Sequence, residues 1–139
     1  MKIKKNFSCP KVSIIIRTYN ESFWIKILLK SLFAQNYKNF SIVIIDSQSN
    51  DDTLRIIKAN NLKTIKIINK KKYTPGKAIN MGIGCMPSDY TIVLSSHCIP
   101  ASKNWITEFV DFMNENISLV AAGGRQLPLP GTNPANFID

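Results

Sequence analysis

Short apolar runs alternate with helical apolar periods along this chain. Val12-Ser-Ile-Ile-Ile-Arg17 is β-branched and almost continuously apolar, the pattern of a strand buried on both faces. Ile25, Leu28, Leu29, Leu32 and Phe33 then fall at i, i+3, i+4, i+7 and i+8, one face of a helix. Phe40 to Ile45 repeats the strand pattern. Asn50-Asp51-Asp52 opens a short helix carrying Leu54 and Ile57, its acidic start suiting a helix N-terminus. Thr64 to Ile68 reads as a third strand. Thr74-Pro75 is a cap followed by proline at the first helical position, and that helix runs through Ala78 and Ile79 to a stop at Gly82-Ile83-Gly84. Tyr90 to Leu94 predicts a fourth strand. Trp105, Ile106, Phe109, Val110 and Met113 share a further helix face. Leu119 to Ala122 predicts a fifth strand, and the Pro-, Gly- and Asn-rich residues 127–139 read as a loop-like tail.

Strand and helix in strict alternation predict an α/β fold: right-handed crossovers and a mostly parallel sheet with helices on both faces. Ligands of such sheets sit at the carboxyl ends of the strands. Three of those ends turn abruptly polar: Thr18-Tyr19-Asn20-Glu21, Asp46-Ser47-Gln48-Ser49-Asn50 and Ser95-Ser96-His97. His97 is the only histidine in the chain. With 139 residues, the chain suffices for one domain with a real core.

Composition changes this picture little. A hydrophobic share of 45% and a charged share of 19% exclude a disordered chain. The net charge of +9 favours anionic partners. Yet nearly all of it is lysine spread over solvated faces, and the dense run Lys70-Lys71-Lys72 has no interleaved aromatics, so nucleic acid is not an expected partner. Cys9, Cys85 and Cys98 form no C-x-x-C pair, which suits a reducing compartment. No segment is a signal-peptide core or a membrane span. The dinucleotide fingerprint, the P-loop and the nucleophile elbow are all missing; Gly76-Lys77 lacks the partner glycine five residues earlier, where Lys71 stands.

The stretches VSIIIRTYNES, IVIIDSQSNDDT, TPGKAINMGIG and IVLSSHCIP, in that order and spacing, resemble the N-terminal half of a family 2 glycosyltransferase, from about Val12 to Gln126. The resemblance implies a Rossmann-like GT-A fold spanning residues 1–139 as one partial nucleotide-sugar-binding domain. It further implies inverting transfer of a sugar from a nucleotide-diphosphate donor. Thr18, Tyr19 and Glu21 would touch base and ribose. Asp46 would read the base or ribose, with Ser47 where many relatives carry a second aspartate. Lys77 would lie near the diphosphate and Asn80 one turn on. Ser95, Ser96 and His97 occupy the place of the family's Asp-x-Asp, which holds a divalent metal. His97 on this reading is a ligand of Mn²⁺ more readily than of Mg²⁺; a protonated His97 pairing with the diphosphate directly stays open, as does a merely structural hydrogen bond. Arg17 stands where relatives often have proline, and either reaches the diphosphate or is a solvated strand end.

In the family the general base comes later than the region matching Gly123-Gly124-Arg125-Gln126, so on this resemblance the chain is expected to be the donor half alone, truncated at its C-terminus. Asp139 is not taken as that base. The acceptor would be a glycan or lipid-linked sugar of polysaccharide biosynthesis. The location would be cytoplasmic, with peripheral association at the inner membrane face. Two other functions remain open: a non-catalytic nucleotide-binding remnant, and a basic module for polyanions or membranes.

Overall fold

The computed structural model describes residues 9–62 and 64–128. Its elements run β1 (Val12–Thr18), α1 (Ser22–Phe33), β2 (Phe40–Asp46), α2 (Thr53–Ala59), β3 (Thr64–Ile67), a 3₁₀ turn (Lys70–Lys72), α3 (Pro75–Ile83), β4 (Tyr90–Ser95) and α4 (Trp105–Glu115). The four strands form one parallel sheet in the order β3-β2-β1-β4. The order reverses between β1 and β4, so a crevice opens between the strand ends there.

Side-chain alternation along each strand divides the core in two. Val12, Ile14, Ile16, Ile42 and Ile44 face α1, α2 and α4, where they meet Ile25, Leu28, Leu29, Leu32, Ile57, Ile106 and Val110. Ile15, Val43 and Ile45 face the other way and meet Ala78 of α3 and Ile68. Helices therefore cover both faces, three against one. The central strands β1 and β2 are buried on both sides, which is why they read as unbroken apolar runs. β4 is an edge strand, and among the described residues no helix lies over its α3-side face, so Thr91 and Val93 are exposed there.

Local signals explain several element ends. Thr74 Oγ1 accepts from the Lys77 N–H and Pro75 follows, as the sequence predicts for the start of α3. Gln35, only 1% exposed, ties the end of α1 to the start of α4. Its amide donates to Ser31 O at 3.3 Å and Ser102 O at 2.7 Å, and its Oε1 accepts from Ile106 N at 3.2 Å.

Three expectations need correction. Leu119 to Ala122 is not a strand: all four residues are exposed, and Leu119 N–H turns back to Asn116 O at 2.9 Å. A strand needs a neighbouring ladder, and among the described residues none pairs with this run. Phe33 lies off the buried face of α1 and is 47% exposed. Gly82 does not stop α3 but sits within it, against β1; Gly84 is the C-cap, in ordinary right-handed conformation. The expected tail falls mostly on residues 129–139, outside the described residues.

Candidate functional site

The parallel register brings the strand ends level. Thr18 pairs with Asp46, Asp46 with Ile67, and Arg17 with Ser95. Backbone bonds continue the ladder past the strands: Ser47 N to Thr18 O at 3.0 Å, Ile68 N to Asp46 O at 2.8 Å, and Ser96 N to Arg17 O at 3.2 Å. A cleft of about 350 Å³ opens at this edge, lined by Arg17, Thr18, Tyr19, Glu21, Ser47, Lys70, Tyr73, Ser95, Ser96 and His97. A larger hollow of about 760 Å³ lies between β3 and α3. Its lining includes Asn80 and Lys66 but no convergence of ionisable groups from several strand ends, so the smaller cleft is the chemically equipped one.

Two loops that frame the cleft are laced to each other. Asn20 N donates to Ser49 Oγ at 2.9 Å, and Asn50 N to Asn20 Oδ1 at 2.9 Å. Glu21 N donates to Thr53 Oγ1 at 2.8 Å, and Ser22 N to Asp51 Oδ2 at 3.1 Å. Asn20 and Gln48 hold positive φ angles, 52° and 62°, which non-glycine residues adopt at a cost. Gln48 repays it by accepting the Lys70 N–H at 3.0 Å. Desolvation alone would raise the Asp51 carboxyl, but hydrogen bonds from Thr53 and Ser22 outweigh it and hold the group at about 2.

Seven of the ten expected residues meet in the cleft: Thr18, Tyr19, Glu21, Ser47, Ser95, Ser96 and His97. Three do not. Asp46 is wholly buried. Its Oδ1 accepts from Ser49 N at 2.9 Å and its Oδ2 from Ser49 Oγ at 2.5 Å, so it shapes the loop while Ser47, one residue on, reaches the cleft. Lys77 is exposed on the first turn of α3, outside the cleft lining, and Asn80 borders the β3–α3 hollow instead. Sequence reasoning missed Lys70 and Tyr73. Lys70 is not merely a solvated charge: its Nζ lies 4.2 Å from the centre of the Tyr19 ring and donates to the Tyr19 hydroxyl at 2.5 Å. The abrupt polar turn after β3 was its only signal.

Electrostatically the cleft carries Arg17 and Lys70 against a single carboxylate, Glu21. His97 Nδ1 stands 3.2 Å from Glu21 Oε1, joining the end of β4 to the start of α1. Thr18 is 4% exposed and its Oγ1 has no hydrogen-bond partner. Among the described residues no three His, Cys, Asp or Glu side chains converge as a metal cage. The His97–Glu21 pair nevertheless fits two neighbouring positions on an octahedral ion, which stand roughly 3 Å apart. Oxygens of a bound ligand and water would have to supply the rest. Among the described residues no helix is long and apolar enough to cross a membrane.

Known proteins share this fold. A Methanococcus voltae relative, dolichyl N-acetyl-alpha-D-glucosaminyl phosphate 3-beta-D-2,3-diacetamido-2,3-dideoxy-beta-D-glucuronosyltransferase, is 34% identical over 122 residues, covering 81% of this chain and 38% of the relative. The crystal structure of S. aureus TarS in complex with UDP-GlcNAc superposes with a TM-score of 0.66 at 25% identity, covering 86% of this chain and 37% of that one. A Pyrobaculum calidifontis mannosyltransferase in complex with GDP-Man and Mn²⁺ gives 0.65 at 19% identity over 76% of this chain and 32% of that one, a likeness of fold alone. The chain spans 36% and 38% of the length of the first curated relatives it matches. The sequence profile of glycosyl transferase family 2 matches residues 13–136, and with the GT-A architecture around the cleft this means that the chain belongs to glycosyl transferase family 2.

Proposed function

We propose that this chain is the sugar-nucleotide-binding part of an inverting glycosyltransferase. The observation that carries the reading is the convergence of Thr18, Ser47, Ser95 and the His97–Glu21 pair on one cleft at the switch point of a family 2 sheet. Thr18, with its unpartnered hydroxyl, Tyr19 and Ser47 line the side that would take base and ribose. Ser95, Ser96 and His97 line the side that would take the diphosphate.

In the transfer, an acceptor hydroxyl oxygen attacks the anomeric carbon. The new glycosidic bond forms as the bond from that carbon to the diphosphate oxygen breaks, and the nucleoside diphosphate leaves with the electron pair. The hydroxyl proton passes to a general base that is not assigned among the described residues. His97, with Glu21 beside it, would hold a divalent cation, Mn²⁺ in preference to Mg²⁺ because imidazole suits the softer ion. When bound, that cation supplies positive charge against the departing diphosphate. The acceptor is a glycan or a lipid-linked sugar, as the name of the Methanococcus relative suggests for that protein. A cytoplasmic location, at the inner membrane face, accords with the three free cysteines and with a lipid-linked acceptor.

The test is thermal denaturation of the 139-residue chain with UDP, dTDP and GDP, each with and without Mn²⁺, repeated for His97→Ala. One diphosphate should raise the melting temperature, and Mn²⁺ should enlarge the shift in the wild type but not in the variant. A shift indifferent to Mn²⁺ would remove the metal role. A cooperatively melting chain that responds to no nucleotide would remove the donor site.

A further inference from the structure

Arg17 occupies an unusual place. It is the penultimate residue of β1, a central strand, and pairs with Ile45 of β2 on one side and Ser95 of β4 on the other. By alternation it shares the face of Ile15, whose side chain packs under α3. α3 covers β1 and β2 further back, so at the carboxyl edge the Arg17 side chain emerges into the cleft.

The guanidinium there is poorly balanced by the protein. Its Nη2 donates to Ser95 Oγ at 3.1 Å, and its Nε is buried without a hydrogen-bond partner. Among the described residues no carboxylate lies within ion-pair distance of it: the only ion pairs are Arg55–Asp52 and His97–Glu21. A half-buried cation with an orphaned donor costs stability, and native chains rarely retain one without a use. The one acid in the cleft, Glu21, is committed to His97. Ser95, the residue that faces Arg17 across the strand pair, offers a hydroxyl and no charge. Arg17 thus lines the cleft with a rigid, planar fork whose Nε is unpartnered, beside Thr18, whose Oγ1 is likewise buried and unpartnered. A fork of this geometry matches phosphate oxygens bidentately, which an ammonium does not.

We propose that Arg17 is a diphosphate-binding residue whose guanidinium, presented beside Ser95, holds the anion of a nucleoside diphosphate directly, so that part of the binding of that diphosphate needs no divalent cation. This rests on the donor-site reading above and assigns it a residue. It also divides labour in the cleft: Arg17 acts from the sheet itself, His97 from the loop after β4.

The experiment measures dissociation constants in excess EDTA for UDP, GDP and dTDP and for the matching nucleosides, using the 139-residue chain and its Arg17→Gln and Arg17→Lys variants. In the wild type the preferred diphosphate should bind about tenfold more tightly than its nucleoside, the scale of a charged hydrogen-bonded contact. Arg17→Gln should collapse that ratio to about twofold or less, and Arg17→Lys, a point charge without the fork, should retain only part of it. The ligand-free melting temperature of Arg17→Gln should equal or exceed that of the wild type, because an unsatisfied buried donor is relieved; a purely structural arginine would lower it. An unchanged ratio in Arg17→Gln overturns the proposal, as does a wild-type diphosphate preference that arises only on adding Mn²⁺. If Arg17→Gln fails to melt cooperatively, Arg17→Lys decides, and a wild-type ratio there overturns it. Nucleoside binding without any diphosphate preference defeats Arg17 but leaves the cleft as a base site. No binding of either ligand to the wild type defeats the donor site itself, and Arg17 with it.

Discussion

At Gly82, α3 lies hard against Ile15 of β1. A Cβ built there would stand 2.5 Å from Ile15 Cγ2 and 2.9 Å from its Cδ1. Ile15 is fully buried between Val43, Ile45 and Ala78, so it has little room to give. Gly82→Ala should therefore destabilise the chain by about 1–3 kcal/mol through overpacking, although alanine is the better helix former. Urea denaturation would read this; a neutral or stabilising result would mean that the Ile15 side chain simply rotates away. From the sequence, Gly82-Ile83-Gly84 resembles a helix stop, because glycine after an apolar period usually is one. Only the packing of α3 on the sheet distinguishes a glycine that ends a helix from one that lets it lie close. Asp46 teaches the same lesson at the site. Its position at the end of β2 is legible, but its carboxylate is taken up by Ser49 of the following loop, and Ser47 lines the cleft instead.

At the scale of elements, the loops after β1 and β2 act as one unit because helix N-termini need acceptors. Asp51 supplies two: its Oδ2 accepts from Ser22 N at the start of α1, and its Oδ1 from Thr53 N at 2.9 Å at the start of α2. Asp51→Ala should cost about 1 kcal/mol, the modest end for a cap because the group is exposed and screened. The pH dependence has a definite sign. The folded carboxyl, at about 2, lies below its unfolded value, so its contribution is complete above that value, near pH 4, and is lost as pH falls toward 2. The stability gap between wild type and Asp51→Ala, followed by urea midpoint from pH 6 to 2, should be widest above pH 4 and narrow steadily as pH falls to 2. A gap that is undiminished at pH 2 would assign the effect to packing. The Asn-Asp-Asp run marked this helix start in the sequence. That the same aspartate also holds the neighbouring helix, across 29 residues, was not legible.

At the scale of the molecule, the sheet ends at β3 and β4, and among the described residues no strand pairs with either outer edge. The α3-side face of β4 presents Val93 at 39% exposure, and beyond α4 Val120 is fully exposed. Unpaired edges beside apolar side chains favour association. The 139-residue chain should therefore self-associate with rising concentration, and Val93→Lys should reduce that association while changing the melting temperature little. Light scattering across a concentration series would check it; a strictly monomeric wild type at every concentration would rule the edge out as a contact.

The sequence by itself determined the alternation of strands and helices, the parallel sheet, the polar strand ends and the family, because apolar period, caps and ordered motifs are local properties of the chain. It marked Thr18, Ser95 and His97 because each lies within three residues of the end of an apolar run. Tertiary structure alone decided that Leu119 to Ala122 finds no ladder to join among the described residues. It also decided that Lys70 reaches Tyr19 across 51 residues and that Asp46 faces inward while Ser47 faces the cleft. It decided, too, that Arg17 meets Ser95 rather than a carboxylate. Pairing, burial and charge balance are set by which distant segments lie side by side, and that depends on strand order and register, which the local pattern does not contain.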